Sequence, residues 1–350
     1  MAQRRDLLAG MSGALAAGLL ARGSTAQAQA EARAADLAPT QAPEIVPLWP
    51  GAAPGGQGVT VEQRAVLRSP TAAPGDTAFY GVTRPTMALW RPARPNGAAL
   101  LMIPGGSYLR VAMPEDGGGM ARHLAGLGFT VGALVYRLPY DGWAAGPDAP
   151  LQDAQRAFRL LRRAVGPDMP TGVLGFSAGG HLAGSLATRF ASSTYARLPD
   201  EDAAPPRPDF AGMMYPVVTM QEPHAHGESR KNLIGAAPDA ERMRRWSLES
   251  GVPADAPPTF LSAAADDRVV PVENSLLMFQ ALRAAGVASA LHVFDVGGHG
   301  FGSVEDESGP GHFWPRLFMD WLGRQVALSR SPFLTMRNEI SHPGYTAGAG

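Results

Sequence analysis

Apolar residues in this chain come in short unbroken runs rather than in strict alternation. Runs over 98–103, 130–136, 171–174, 210–215, 259–264 and 290–294 have the length of strands. They are too continuous for a sheet wetted on one face, and they predict strands buried on both. Helical spacing of apolar positions marks 120–127, 151–165, 181–190 and 272–285 between them, with a last helix over 313–328. Strands alternating with helices of this length predict βαβ units and a mostly parallel sheet with helices on both faces. Ahead of this pattern, 45–54 predicts a strand or loop that packs Trp49 on the body, and 59–61 and 86–90 predict edge strands. No internal repeat of fixed period is present. Ligands of such sheets bind beyond the carboxyl ends of the strands, so the loops after the strands are where chemistry is expected.

Composition and the remaining segments complete the organisation. With 350 residues, 42 Gly and 32 Pro, the chain can build one large α/β domain with abundant loops. A formal net charge of −1 argues against nucleic acid or another polyanion as partner. Arg4-Arg5, the apolar run 7–21 and the small-residue triplets Ala26-Gln27-Ala28 and Ala28-Gln29-Ala30 read as a twin-arginine-type signal peptide over 1–30. The apolar run is too short for a stable membrane anchor. A periplasmic or secreted protein follows, and the absence of Cys fits one that needs no disulfides. Residues 31–43 read as a linker, 44–328 as the catalytic domain and 329–350 as a C-terminal tail. Within the domain, 219–257 is a polar insertion between two strands, expected to lie over the site as a small cap.

The post-strand segments carry a consistent chemistry. Gly175-Phe176-Ser177-Ala178-Gly179 is a Gly-x-Ser-x-Gly turn between a strand and a helix, the nucleophile elbow of α/β-hydrolases. It raises the Ser177 hydroxyl above the sheet for acyl transfer. Ile103-Pro104-Gly105-Gly106-Ser107-Tyr108 follows the first core strand and fits an oxyanion loop, with the N–H groups of Gly106, Ser107 and Ala178 as donors. Asp266 and Asp267 both stand at a strand end. The Asp-x-x-Val-Pro spacing selects Asp267 as the triad acid, and Asp266 is left to cap the turn. His299, between Gly298 and Gly300, is placed to act as general base and acid. Ser177, Asp267 and His299 occur in the α/β-hydrolase order. His181 reads as a packing residue, Asp153 as a helix-start or surface carboxylate, and Arg137 as an anchor for a loop under the site. His224 and His226 are two apart in the insertion without an evident third ligand, so no metal and no cofactor is expected.

These segments resemble the bacterial α/β-hydrolase esterases related to acetyl xylan esterases and to hormone-sensitive-lipase-like esterases. The resemblance rests on 104–108, Tyr136-Arg137-Leu138-Pro139, 175–183, 257–260, 267–275 and 297–301, and it spans roughly 47–322. It implies an α/β-hydrolase fold and removal of acetyl groups from xylan fragments or other small esters. The partner implied is therefore a small-molecule or oligosaccharide ester. Pro104 stands where such loops commonly have His, and Ser107 where they have a last Gly. A prolyl-oligopeptidase-like peptidase and a non-catalytic binder on a hydrolase scaffold are the alternatives. The oligomeric state is not legible.

Overall fold

A computed structural model describes residues 42–326 apart from 73–74, 202–203 and 303–308. The expected signal peptide (1–30), most of the linker and the tail (329–350) lie outside the described residues. Strands β1 (Glu44–Pro47), β2 (Arg64–Leu67), β3 (Thr77–Tyr80), β4 (Thr86–Trp90) and β5 (Ala99–Ile103) lead to helix α1 (Gly118–Gly126). Then come β6 (Thr130–Val135), α2 (Ala149–Val165), β7 (Thr171–Phe176), α3 (Ala178–Thr188) and β8 (Ala211–Met214). The insertion contributes α4 (Gly227–Ile234) and α5 (Ala240–Trp246), and β9 (Thr259–Ala264), α6 (Glu273–Ala284), β10 (Ser289–Phe294) and α7 (Trp314–Gln325) finish the described chain.

Eight strands form one sheet in the order β1-β4-β6-β5-β7-β8-β9-β10. From β6 to β10 neighbours are parallel; β4 is antiparallel to both β1 and β6. The chain steps from β5 to β6 on one side and then to β7 on the other. That reversal opens the crevice in which such sheets bind ligands, and it lies between the loops after β5 and β7. The apolar runs are continuous because every residue of β5, β6, β7, β8 and β9 is buried. Successive residues of β8 show the two covered faces: Gly212 approaches Phe318 of α7, and Met213 approaches Gly184 of α3. Around Phe318 the rings of Phe129, Phe210, Phe260 and Trp321 pack at 5.4–6.3 Å between centroids.

The N-terminal part differs from expectation in two places. Residues 59–61 form no strand. Their alternation is real, but the strand partner is available to 64–67 instead, which pairs with 77–80 in a separate hairpin with Arg64 opposite Tyr80. Strand formation needs that partner as much as it needs propensity. Residues 86–90 do form a strand, but an interior one, because β1 pairs along its outer side.

Asp153 corrects a third expectation: it is neither a helix-start nor a surface carboxylate. It is fully buried in α2 and faces an equally buried Arg137 at 2.9 Å. The Arg137 Nε donates to both carboxylate oxygens (3.0 and 2.9 Å), its backbone N–H donates to one (2.8 Å), and Trp49 Nε1 donates to the other (2.8 Å). The guanidinium also donates to Pro54 O and Gln152 Oε1 and lies 4.7 Å from the Trp143 ring centroid. One buried pair thus ties the end of β6, helix α2, the segment after β1 and the loop carrying Trp143. Removing one partner of such a pair strands a buried charge, at a cost of about 3–5 kcal/mol. We expect Asp153→Ala to lose stability of that order in denaturant unfolding, and Trp49→Phe, which removes one of several donors, only about 1 kcal/mol. Near-equal losses would show that Asp153 is not the tie.

Candidate active site

The turn from β7 into α3 dictates the position of Ser177. Its φ is 56° and ψ −123°, a region that a residue with a side chain rarely adopts. The flanking glycines make the turn possible by having no Cβ. One on Gly175 would sit 2.1 Å from Gly179 O, and one on Gly179 would sit 2.3 Å from Ile103 O. Backbone bonds hold the strained residue from both sides. Ser177 N–H donates to Met214 O, and Ser177 O accepts from Gly180, His181 and Val217 N–H. The Oγ therefore stands at the N-terminus of α3, where the helix dipole favours negative charge.

Across the crevice, the loop after β10 delivers His299. Its Nε2 lies 2.8 Å from Ser177 Oγ and its Nδ1 2.7 Å from Asp267 Oδ2. A carboxylate only accepts, so Nδ1 carries the proton and Nε2 is free to accept from the Ser177 hydroxyl. Asp267 Oδ1 accepts from Val269 and Val270 N–H at 2.9 and 3.0 Å. Burial would raise the Asp267 pKa, but the bond from His299 and those two N–H groups outweigh it and hold the carboxyl below its ordinary value. Asp266 serves differently from a turn cap: its Oδ1 accepts from Gly298 N–H at 2.7 Å and so braces the loop that bears His299.

Tyr215 belongs to this group, although nothing but its place at the end of an apolar run signals it. It has φ 36°, and its ring stands edge-on to His299 at 5.1 Å and to Phe301 at 5.0 Å. Backbone strain that aims an aromatic ring at the imidazole is of the kind found at functional sites.

The segment after β5 packs directly on the elbow. A Cβ on Gly105 would lie 2.9 Å from Phe176 O and from Ser177 Cβ. Ser107 and Tyr108 both adopt positive φ, 57° and 56°. The N–H groups of Gly106 and Ser107 have no acceptor among the described residues. Ala178, first in α3, has its N–H left over by helix geometry. Three donors are therefore available around the elbow.

His181 is a packing residue with a polar task. It is buried; Tyr108 Oη lies 2.8 Å from its Nδ1, and Trp246 O 2.8 Å from its Nε2. The carbonyl only accepts, so Nε2 donates to Trp246 and Nδ1 accepts from the tyrosine. The imidazole thus links the segment after β5, helix α3 and the end of α5. Burial pushes its pKa down to about 4; the bond to Trp246 opposes this and Arg189 adds to it. A second tie joins the insertion to the same segment, Asn232 Nδ2 donating to Ser107 O at 2.9 Å. Asn274 of α6 donates to His224 O and accepts from Val218 and Thr219 N–H.

The two histidines of the insertion are not paired. His226 Nδ1 accepts from Ser229 N–H at the start of α4, and His224 Nδ1 is 3.9 Å from Glu273. Burial lowers the His226 pKa, and the charge of Glu228 opposes it. Among the described residues no group of three or more His, Cys, Asp or Glu is placed to hold a metal ion, and no helix is long and apolar enough to cross a membrane.

Similarity to known proteins covers the same region. The Prolyl oligopeptidase family matches residues 168–327. The Endo-1,4-beta-xylanase B of Butyrivibrio fibrisolvens is 32% identical over 236 residues, 66% of this chain and 35% of that protein. The Acetylxylan esterase of Xylanibacter ruminicola is 31% identical over 225 residues, 62% of this chain and 43% of that one. The chain thus spans less than half the length of either relative. The crystal structure of an acetyl ester-xyloside bifunctional hydrolase from Caldicellulosiruptor lactoaceticus aligns with TM-score 0.63 at 31% identity, over 80% of this chain and 96% of that one.

The neutral His181 makes stability depend on pH in a known direction. In the unfolded chain its ring takes up a proton near 6.5, in the fold only near 4. Between these values the unfolded state holds more protons, so stability falls as pH drops from 6.5 to 4, and this group adds nothing further below 4. The full effect of a shift of this size is roughly 3 kcal/mol. We expect the stability advantage of wild type over His181→Asn to shrink by about 2–3 kcal/mol between pH 7 and 4.5 in urea unfolding. A gap that stays constant would mean that His181 titrates normally.

Proposed function

This chain belongs to the acetyl xylan esterase-like α/β-hydrolases, and from that premise we propose that it is an exported serine esterase that removes short acyl groups, acetyl foremost, from carbohydrate or other small esters. The observation that carries this reading is the relay Ser177–His299–Asp267, with contacts of 2.8 and 2.7 Å. In the proposed reaction Ser177 Oγ adds to the ester carbonyl while its proton passes to His299 Nε2. The carbonyl oxygen takes the negative charge and is met by the N–H groups of Gly106, Ser107 and Ala178. One such donor is worth roughly 3–4 kcal/mol in the transition state. The C–O bond to the alcohol breaks, His299 returns the proton to the leaving oxygen, and an acyl-serine remains. Water then adds to it, giving its proton to His299, and the acid leaves as Ser177 is restored. Ionised Asp267 holds the imidazole in the required tautomer and stabilises the imidazolium. These steps use no cofactor or metal.

The insertion supports a polar leaving group. Its helices carry Glu228, Arg230, Lys231, Glu241, Arg242, Arg244 and Arg245, and Arg230 pairs with Glu222 at 2.8 Å. In the proposed reading the insertion caps the site, and a fatty chain bound beneath it would leave such groups dry and unpaired. In the same proposal residues 1–30 are a signal peptide and the mature enzyme works in the periplasm or outside the cell. Lysine in place of both Arg4 and Arg5 should then hold precursor in the cytoplasm, seen by fractionation; unimpaired export would refute that route.

The match over 168–327 favours one second reading, a peptidase of prolyl-oligopeptidase type. One set of assays separates the two. We expect acetate release from acetylated xylo-oligosaccharides. Turnover of p-nitrophenyl esters should fall by more than about tenfold from acetate to hexanoate, since a methylene in a fitted pocket is worth roughly 1–3 kcal/mol. Ser177→Ala should lose on the order of 10⁶ in kcat while unfolding at an unchanged temperature. Cleavage of a prolyl p-nitroanilide without ester hydrolysis would select the peptidase. Turnover that survives Ser177→Ala would reject both.

A further inference from the structure

The loop that Arg137 anchors has a use that the relay does not absorb. It follows β6, as the oxyanion segment follows β5, so both emerge at the same end of the sheet. The Tyr140 hydroxyl donates to Leu109 O, which sets this loop beside the oxyanion segment, two residues past Ser107. Yet the Tyr140 ring is 47% exposed. The next residue, Asp141, is only 6% exposed, and its buried Oδ2 has no hydrogen-bond partner. Arg110 lies against the same segment, its Cγ 3.1 Å from where a Cβ on Gly106 would be, and its buried Nε has no partner either. From the β2–β3 hairpin Tyr80 stacks under the Arg64 guanidinium at 5.9 Å. Phe79 of the same hairpin bridges to Val111 through two backbone bonds of 2.9 Å, which sets the hairpin against the segment whose Leu109 O holds Tyr140.

We propose that Tyr140, Asp141, Tyr80, Arg64 and Arg110 form the subsite for the neutral sugar ring that carries the ester. The proposal rests on the esterase reading and adds the residues that select its leaving group. A pyranose has an apolar C–H face and a rim of hydroxyls, each both donor and acceptor. An exposed tyrosine ring offers a flat surface to that face. A recessed carboxylate that accepts nothing from the protein suits a small donor such as a sugar hydroxyl, and the exposed Arg64 guanidinium can donate to a neighbouring hydroxyl oxygen. An unpaired buried carboxylate costs the fold, and burial pushes the Asp141 carboxyl up to about 6. Its place on a loop so firmly held by the Arg137–Asp153 pair points to a ligand rather than to stability.

Xylotriose, which carries no ester, tests the subsite without relying on turnover. Calorimetric titration of the wild-type protein should show binding, weakened about tenfold in Asp141→Asn and in Tyr140→Ala, as befits the loss of one charge-assisted bond or one stacking face. Asp141→Asn should unfold at the same or a higher temperature, because the amide relieves the buried charge. For acetylated xylobiose against p-nitrophenyl acetate, the ratio of kcat/KM values should drop by about the same factor in both variants. No binding of xylotriose, equal binding by all three proteins, or a marked fall in melting temperature with unchanged binding in Asp141→Asn would each overturn the proposal. Hydrolysis of p-nitrophenyl acetate by wild type reports on the esterase reading separately, so a failure of one is not mistaken for a failure of the other.

Discussion

Everything at this site depends on a backbone that a side chain normally refuses. Ser177 is held at φ 56° between two positions where a single added carbon would strike backbone at 2.1 and 2.3 Å. A residue in such a conformation costs of order 1–3 kcal/mol and persists only when its surroundings over-determine it. Here they do. The elbow is clamped by Met214 O on one side and by three N–H groups on its own carbonyl. With the turn fixed, the hydroxyl, the start of α3 and the segment after β5 have nowhere else to be. The sheet order supplies the rest, since β5 and β7 are neighbours at the point where the chain reverses direction across the sheet.

The supporting contacts divide into two kinds. Those around the nucleophile are central and buried or half-buried. His181 ties Tyr108 to Trp246, and Asn232 ties Ser107 to the insertion, so the two residues at positive φ in the segment after β5 each have a fixed neighbour. Those around His299 are peripheral. β10 is the last strand of the sheet, bonded on one side only, and its residues are half-buried or exposed. An edge strand opens more readily than a central one, so the loop after it needs braces of its own. Asp266 to Gly298, Asp267 to Val269 and Val270, and the Tyr215 ring against the imidazole provide them.

How much of this was legible in the sequence follows from range. The buried strands and their helices were read from local pattern; β9 agrees residue for residue and the other core strands to within a few residues. Gly175-x-Ser177-x-Gly179 was legible because a steric demand is written into adjacent residues. Asp153 was misread because a helix carries no mark of what its inner face will meet 16 residues back in the chain, at Arg137, or 104 back, at Trp49. Tyr215 and Asp266 escaped for the same reason: their contacts run to His299 and Gly298, far along the chain. The hairpin at 64–80 shows the complementary failure, in which a local β pattern at 59–61 had no partner to pair with.

The same distinction bears on how the site is divided between chemistry and selection. Ser177 and the segment after β5 sit on central strands, where one misplaced atom is felt at once because packing leaves no slack, whereas His299 follows the edge strand β10. The groups that face outward, on the hairpin, the loop after β6 and the insertion, are tied to that frame by bonds that include Tyr140 to Leu109 and Asn232 to Ser107. Both of those bonds land on backbone carbonyls of the segment after β5, not on the Ser177 or His299 side chain. Neither bond touches the Ser177–His299 contact, which has its own braces in Asp266, Asp267 and Tyr215. Substitution on such outer loops costs less than on the buried strands beneath them.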